Sequence, residues 1–254
     1  MKNKISKKMV IALIIVIIAV GTLSYGVASF LPIIGDVNTP ANAYVSKYYI
    51  LNSVPHTHAA NIVTAVLADY RGFDTLFETS VLFLSGLTTM MVLSTKEKIS
   101  KKNKVDLIPD DGSFGSLVMD SAFRLAVPIV LIYGIYVLIH GEISLGGGFQ
   151  AGALLAVAYL LDRIIPSFTS LIGDISEELA LIIAGVGVFI YAFTGILPMF
   201  NGGNFLEYGK LPFAAEAVAD LHSTGILMIE IGVTIAVMGV IIAILEIVLE
   251  RTEI

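Results

Sequence analysis

Apolar residues fall in runs far longer than the four to eight of a buried strand, and charged residues gather between the runs. The first uncharged run, 9–35, leaves ample length for a helix of about 20 residues, which is expected to end near Pro32. Further runs predict helices over about 73–93, 125–139, 148–161, within 179–206, and over 221–245, the last interrupted only by Glu230. The third and fourth are short and are joined by the linker 140–147. A further apolar stretch, 57–70, is too short to span a bilayer and reads as an interfacial or re-entrant helix. At 100° per residue it would bring His58, Asn61 and Asp69 within about 80° of one another. The pattern predicts an all-α integral membrane protein of about six transmembrane helices plus that short helix, with both termini on one side.

Composition supports this pattern: 56% of residues are apolar and 14% charged, against about 25% charged in soluble domains. Mean hydropathy is +0.89, which excludes a water-soluble globule. There is no cysteine, so disulfides, Cys-ligated zinc and a cysteinyl iron–sulfur cluster are excluded in this polypeptide.

Of the 15 Lys and Arg residues, twelve fall on one predicted face: Lys2, Lys4, Lys7, Lys8, Lys96, Lys98, Lys101, Lys102, Lys104, Arg124, Arg163 and Arg251. Lys47 and Lys210 fall on the other, and Arg71 lies near the membrane. Cytoplasmic loops hold the excess of basic residues, so both termini are predicted cytoplasmic in a multi-pass protein of the cell membrane. That topology explains the basic residues better than nucleic-acid binding does. The opening, lysines followed by an apolar run, also resembles a secretory signal, although the run is long for one.

The basic loop 95–115, with the turn signal Pro109-Asp110-Asp111-Gly112, is the clearest boundary in the chain. It predicts a two-helix domain 1–95, a basic cytoplasmic linker 96–114 and a four-helix domain 115–254. No internal repeat crosses it, so an inverted-repeat transporter in one polypeptide is not supported, and partner subunits are expected.

Arg71, Asp74 and Glu78 lie three and four residues apart, on one helical face. Asp74 and Arg71 suit a helix start at the interface, the one complementing the macrodipole and the other snorkelling. Glu78 is a turn deeper and needs a partner or a wet cavity. Glu230 sits about nine residues into the last helix, where a lipid-facing carboxylate costs on the order of 2–3 kcal/mol. It either lines an ion path or serves as protonated or hydrogen-bonded helix glue. Asp220, His222, His140 and Glu142 occupy interface positions that suit solvated or capping roles. Glu177 and Glu178 read as first-turn acids, and Asp162 and Arg163 as an interfacial pair.

The run Gly146-Gly147-Gly148 lacks both the Gly-Lys-Ser/Thr ending and the preceding strand of a phosphate loop. Gly148, Gly152 and Ala156 instead recur every four residues, the small-residue spacing of close-packed membrane helices. Gly225, Gly232 and Gly239 recur every seven, on a different face from Glu230. The last helix is thus expected to pack on one side and stay polar on another.

The run Asn61-Ile62-Val63-Thr64-Ala65-Val66-Leu67-Ala68-Asp69-Tyr70-Arg71-Gly72-Phe73-Asp74-Thr75-Leu76-Phe77-Glu78 resembles the end of MrpA, the large component of Mrp-type cation/proton antiporters. It equally resembles that region's counterpart MbhE in archaeal membrane-bound hydrogenases, over roughly 1–95. The segment 141–152 and the run His222-Ser223-Thr224-Gly225-Ile226-Leu227-Met228-Ile229-Glu230-Ile231-Gly232-Val233 resemble the four-helix MnhB, MrpB or MbhF proteins, over roughly 115–250. Leu145 and Gly225 stand where that family often has proline, and both modules in one chain suggest a fusion of adjacent subunits. The resemblance implies a sodium/proton antiporter module, free-standing or within a larger respiratory complex such as a membrane-bound hydrogenase or sulfur reductase. Its partners would be other Mrp-type subunits (A/D-like, C-, E-, F- and G-like) and peripheral redox subunits. Na+ and H+ would be the transported ions, with no cofactor in this chain, and nickel and iron–sulfur clusters would reside in the partners.

Two functions follow as alternatives. Glu78, Asp74, Arg71, Asp69 and Glu230 line a cation or proton path, because carboxylates supply hard oxygen ligands. Otherwise the chain is a scaffold that seals and assembles the module, held by Gly148, Gly152, Gly225, Gly232 and Gly239. An enzyme is the poorest reading: no HExxH or Gly-x-Ser-x-Gly motif is present, and no catalytic site is expected.

Overall fold

The computed structural model describes residues 7–30, 43–93, 114–164 and 171–252. The helix end expected near Pro32, Lys2, Lys4, the five lysines from Lys96 to Lys104 and all of the linker except Phe114 lie outside these residues. The described residues are helical with short turns and no strand. In order they are α1 (Lys7–Phe30), α2 (Tyr44–Thr57), α3 (Ile62–Thr64) running into a π-helical turn (Ala65–Tyr70), α4 (Gly72–Leu93), α5 (Phe114–Ile139), α6 (Gly148–Ile164), α7 (Glu177–Ile196) and α8 (Val218–Thr252). Two 3-10 turns, Leu197–Asn201 and Tyr208–Lys210, connect α7 to α8. The chain divides into a unit Met1–Ile50 and a unit Leu51–Ile254, the second beginning within α2.

Among the described residues four helices are long and apolar enough to cross a membrane: Gly72–Leu93, Val118–Ile139, Glu177–Asn201 and Val218–Leu249. The apolar part of α1, Leu13–Ala28, and the 17 residues of α6 fall short of that length. α5 begins well before the expected 125, because Arg124 pairs with Asp120 one turn back (3.0 Å) and the two charges offset each other on the helix. α2 has no counterpart in the hydrophobic pattern. Its mixed Tyr, Ser, Asn and His content carries no apolar periodicity, and His58 at φ 56° ends it by donating its backbone N–H to Val54 O at 2.9 Å.

The core of the second unit lies along α8. A β-carbon at Gly232 would stand 2.8 Å from Gly187 O, and one at Gly239 would stand 2.6 Å from Ala184 N, so α7 and α8 touch backbone to backbone. On another side of α8, Gly152 brings α6 to within 2.7 Å (measured from its β-position) of Thr234 O. Gly225 faces the ring of Tyr208, which fills the space above it. Packing of this kind replaces the hydrophobic drive that lipid removes.

Helix ends are closed by side chains. Ser176 caps α7 by accepting from Leu179 N (3.3 Å), with Glu177 and Glu178 in the first turn. Asp162 and Arg163 do not form the expected pair. Asp162, 1% exposed, accepts from Leu171 N and Ile172 N at 2.7 and 2.9 Å and so ties the end of α6 to the approach to α7. Arg163 instead binds the buried Glu246 of α8 at 3.1 Å, and Tyr159 donates to the same carboxylate oxygen at 2.6 Å.

Candidate functional site, a polar line along the start of α8

Between α3 and α4 the backbone leaves α-helical geometry, and its carbonyls need outside donors. The Thr75 hydroxyl donates to Leu67 O (2.7 Å), Tyr208 to Ala68 O (3.0 Å) and Tyr191 to Gly72 O (2.6 Å). Burial, and then the nearby Tyr191 and Asp69, hold the Tyr208 phenol well above its ordinary 10.0, so it stays a donor. The wide π turn ends with Arg71 N donating to Val66 O at 2.8 Å. It turns Asp69 inward onto α8, where Asp69 Oδ2 meets His222 Nδ1 at 2.6 Å.

This geometry replaces the single face expected for His58, Asn61 and Asp69, because 57–70 is not one regular helix. His58 lies in a left-handed turn and pairs with Asp220 at 2.9 Å. Asn61 is the N-cap of α3: its Oδ1 accepts from Val63 N at 3.1 Å. Its amide nitrogen donates to Gly141 O and Ser144 O, both at 2.8 Å. Thr64 adds a hydroxyl to Gly141 O at 2.7 Å, and Asn61 N donates to Glu142 O at 2.9 Å. The turn after α5 is therefore held by α3.

That turn carries Glu142, whose Oε2 accepts from Ser223 of α8 at 2.7 Å while its Oε1 is buried with no hydrogen-bond partner. Burial pushes the Glu142 carboxyl above its ordinary range, and the Ser223 hydroxyl pulls it part of the way back. Ser223 and Glu230 are seven residues apart, two turns on one face of α8. Glu230 is 7% exposed, its Oε2 is also buried without a partner, and Glu142 is close enough for its charge to act on it.

Glycines make the space. A β-carbon at Gly141 would lie 3.0 Å from Glu230 Oε2, and one at Gly147, which has φ +141°, 3.2 Å from Glu230 Oε1. A β-carbon at Gly148 would lie 2.9 Å from the Val233 β-carbon.

The named candidates thus separate. Asp69 and Glu230 are inside and lie along the same stretch of α8. Arg71 and Asp74 pair with one another on the exposed face of α4, Arg71 Nε to Asp74 Oδ2 at 2.7 Å, and Glu78 is exposed on that helix too. Glu142, His222 and Ser223, which the sequence suggested only as interface positions or not at all, join the interior set. The signal that could have found them is the His-Ser pair two turns before Glu230. Among the described residues no group of three or more His, Cys, Asp or Glu could hold a metal ion.

Residues 118–243 match the family model described as "Domain related to MnhB subunit of Na+/H+ antiporter", and residues 7–100 match the MbhE model, a component of the MBH complex. In the structure of the membrane-bound sulfane sulfur reductase, an archaeal respiratory membrane complex, one chain is 30% identical with a TM-score of 0.72. The likeness covers 96% of this chain and 99% of that one. This chain belongs to the MbhE/MnhB family. The MbhE/MnhB-type protein also shares its fold with a chain of the Mrp complex from Dietzia sp. DQ12-45-1b, at 24% identity and TM-score 0.70, over 96% of itself and 26% of that chain. It is 24% identical to the A/B component of a probable K(+)/H(+) antiporter of Rhizobium meliloti over 78% of its own length, and spans only 22% of that relative. With its apolar helices, this membership makes it a membrane protein.

Proposed function

We propose that this chain is a membrane subunit of an Mrp-type sodium/proton antiporter module and takes part in cation or proton translocation within a larger respiratory complex. The observation that carries the reading is Glu230, a carboxylate buried within the longest apolar helix with one oxygen unpartnered and a second acid beside it. A carboxylate at such depth is costly, and those found there mark ion pathways and proton relays. Asp69 with His222 continues the polar line, while Glu78, Asp74 and Arg71 face outward from α4, where a neighbouring subunit would complete a path. Other Mrp-type subunits and cluster-bearing peripheral subunits are the partners, supported by the multisubunit complexes in which the related chains occur.

The organisation proposed is two modules, 1–95 and 115–254, joined by the basic linker, in keeping with two family models that match 7–100 and 118–243. Six crossings, counting α1 and α6 as spans, and cytoplasmic termini fit the distribution of Lys and Arg.

In inverted membrane vesicles containing the assembled complex, Glu230→Gln is expected to lower Na+-driven proton movement about tenfold or more with subunit composition unchanged, since each factor of ten reflects only about 1.4 kcal/mol. Full exchange in an intact complex would overturn the reading. The backbone meshing at Gly187 and Gly232 favours a second role, a scaffold that seals the module. That role predicts normal exchange in the Glu230→Gln complex.

A further inference from the structure

We propose that Glu142 and Glu230 together form a binding site for one small monovalent cation, roofed by the glycine turn 141–147. The proposal rests on the reading that this protein takes part in cation translocation, and it names the site and its second ligand. Two carboxylate oxygens from different elements, Glu142 Oε1 in the turn and Glu230 Oε2 in α8, are each buried with no hydrogen-bond partner. Such oxygens are the costly exception in a folded interior, and a proton, a water molecule or a cation satisfies them. Two carboxylates in a low-dielectric setting stay charged together only when a cation stands between them; otherwise one of them holds a proton.

The surroundings fix the kind of cation. Beyond the two carboxylates, nearby polar atoms include Ser223 Oγ, which donates to Glu142 at 2.7 Å, and Gln150 Oε1, which like Glu230 Oε1 approaches the β-position of Gly147, at 3.3 Å; His140 Nδ1, beside the turn, is buried without a partner as well. The oxygens are hard ligands, which favour alkali or alkaline-earth ions over transition metals. Calcium takes six to eight oxygens and magnesium keeps several waters, whereas this site offers two carboxylates, one of whose oxygens is already occupied by the Ser223 hydroxyl. The β-positions of Gly141 and Gly147 lie only 3.0 and 3.2 Å from the Glu230 oxygens, so an ion held there sheds part of its water. A monovalent ion sheds that water at far lower cost, because the charging energy grows with the square of the charge.

Asn61 and Thr64 act as positioning residues. They hold the 141–144 backbone and so set where Glu142 stands relative to α8.

The test uses the whole complex in proteoliposomes, with NaCl as the probe and radioactive sodium uptake as the readout across a range of concentrations. Glu142→Gln is expected to raise the half-saturating Na+ concentration about tenfold or more, the loss of roughly 1.4 kcal/mol of binding. Glu142→Asp, which keeps the charge, recovers part of that shift. If Glu142→Gln leaves half-saturation at the wild-type value while Glu230→Gln abolishes uptake, Glu230 acts alone and the paired site is overturned, with the functional reading intact. If neither substitution alters uptake, both fall. Should the Gln variant fail to assemble, Glu142→Asp decides: a raised half-saturation supports the pair, and a wild-type value overturns it.

Discussion

A single side chain, Asp162, shows how the fold handles polar backbone at a helix end. Its carboxylate is almost wholly buried and serves two consecutive backbone N–H groups, at Leu171 and Ile172, that begin the approach to α7. Charge-assisted bonds of this kind contribute about 1.5–3 kcal/mol each, and their loss strands the donors. Asp162→Ala is therefore expected to destabilise the protein by about 2–4 kcal/mol, measured as a lowered thermal unfolding midpoint of the purified complex, while Asp162→Asn loses less. Neighbours along the chain offered no hint of this: Asp162 stands beside Arg163, and adjacent opposite charges invite pairing. Consecutive helix residues point about 100° apart, so each found a partner on a different element.

At the scale of elements, the spacing of small residues was legible and the interruptions were not. Glycines seven apart on α8 mark a strip, and in the fold two of the three, Gly232 and Gly239, lie against the backbone of α7, whereas Gly225 lies under Tyr208. Gly232→Leu would drive a branched side chain into Gly187 O and Tyr191 N. The expected result is separation of α7 from α8 and loss of the protein from the complex, at a cost beyond the roughly 1–3 kcal/mol typical of overpacking; native gel electrophoresis of the membrane extract checks it. The π turn was hidden because it depends on distant hydroxyls. Ala65–Tyr70 carries no breaker residue, and carbonyls in and just after it are satisfied by Thr75, Tyr191 and Tyr208, two of them more than a hundred residues away. For the same reason Asp69 could be placed near a membrane surface from sequence but not against His222. Glu230 was conspicuous because it stands alone in an apolar run, and Glu142 was inconspicuous because a turn is an ordinary place for an acid.

For the molecule as a whole, the two family likenesses meet at a polar seam between the segment 56–75 and the C-terminal helices: Asn61 and Thr64 on Gly141, Asp69 on His222, His58 on Asp220, and Tyr191 on Gly72. Most of these bonds are buried or half-buried, where each contributes about 0.5–1.5 kcal/mol net. Co-expressing 1–104 and 105–254 as separate chains is expected to give fragments that purify together, and Asn61→Ala in the first is expected to weaken their association several-fold; affinity capture through a tag on one fragment measures both. Failure of the unaltered fragments to co-purify would show that the linker, rather than the seam, holds the modules together.

The backbone contact between α7 and α8 has a mechanical corollary. Helices meshed at Gly187, Gly232 and Gly239 cannot slide past each other by a fraction of a turn without collision, and Glu246 moors the far end of α8 to Arg163 and Tyr159 of α6. Glu230 is thus carried on a fixed strut. The opposite wall, the turn that bears Glu142, is moored to α3 through Asn61 and Thr64, so the two acids are held from two different elements.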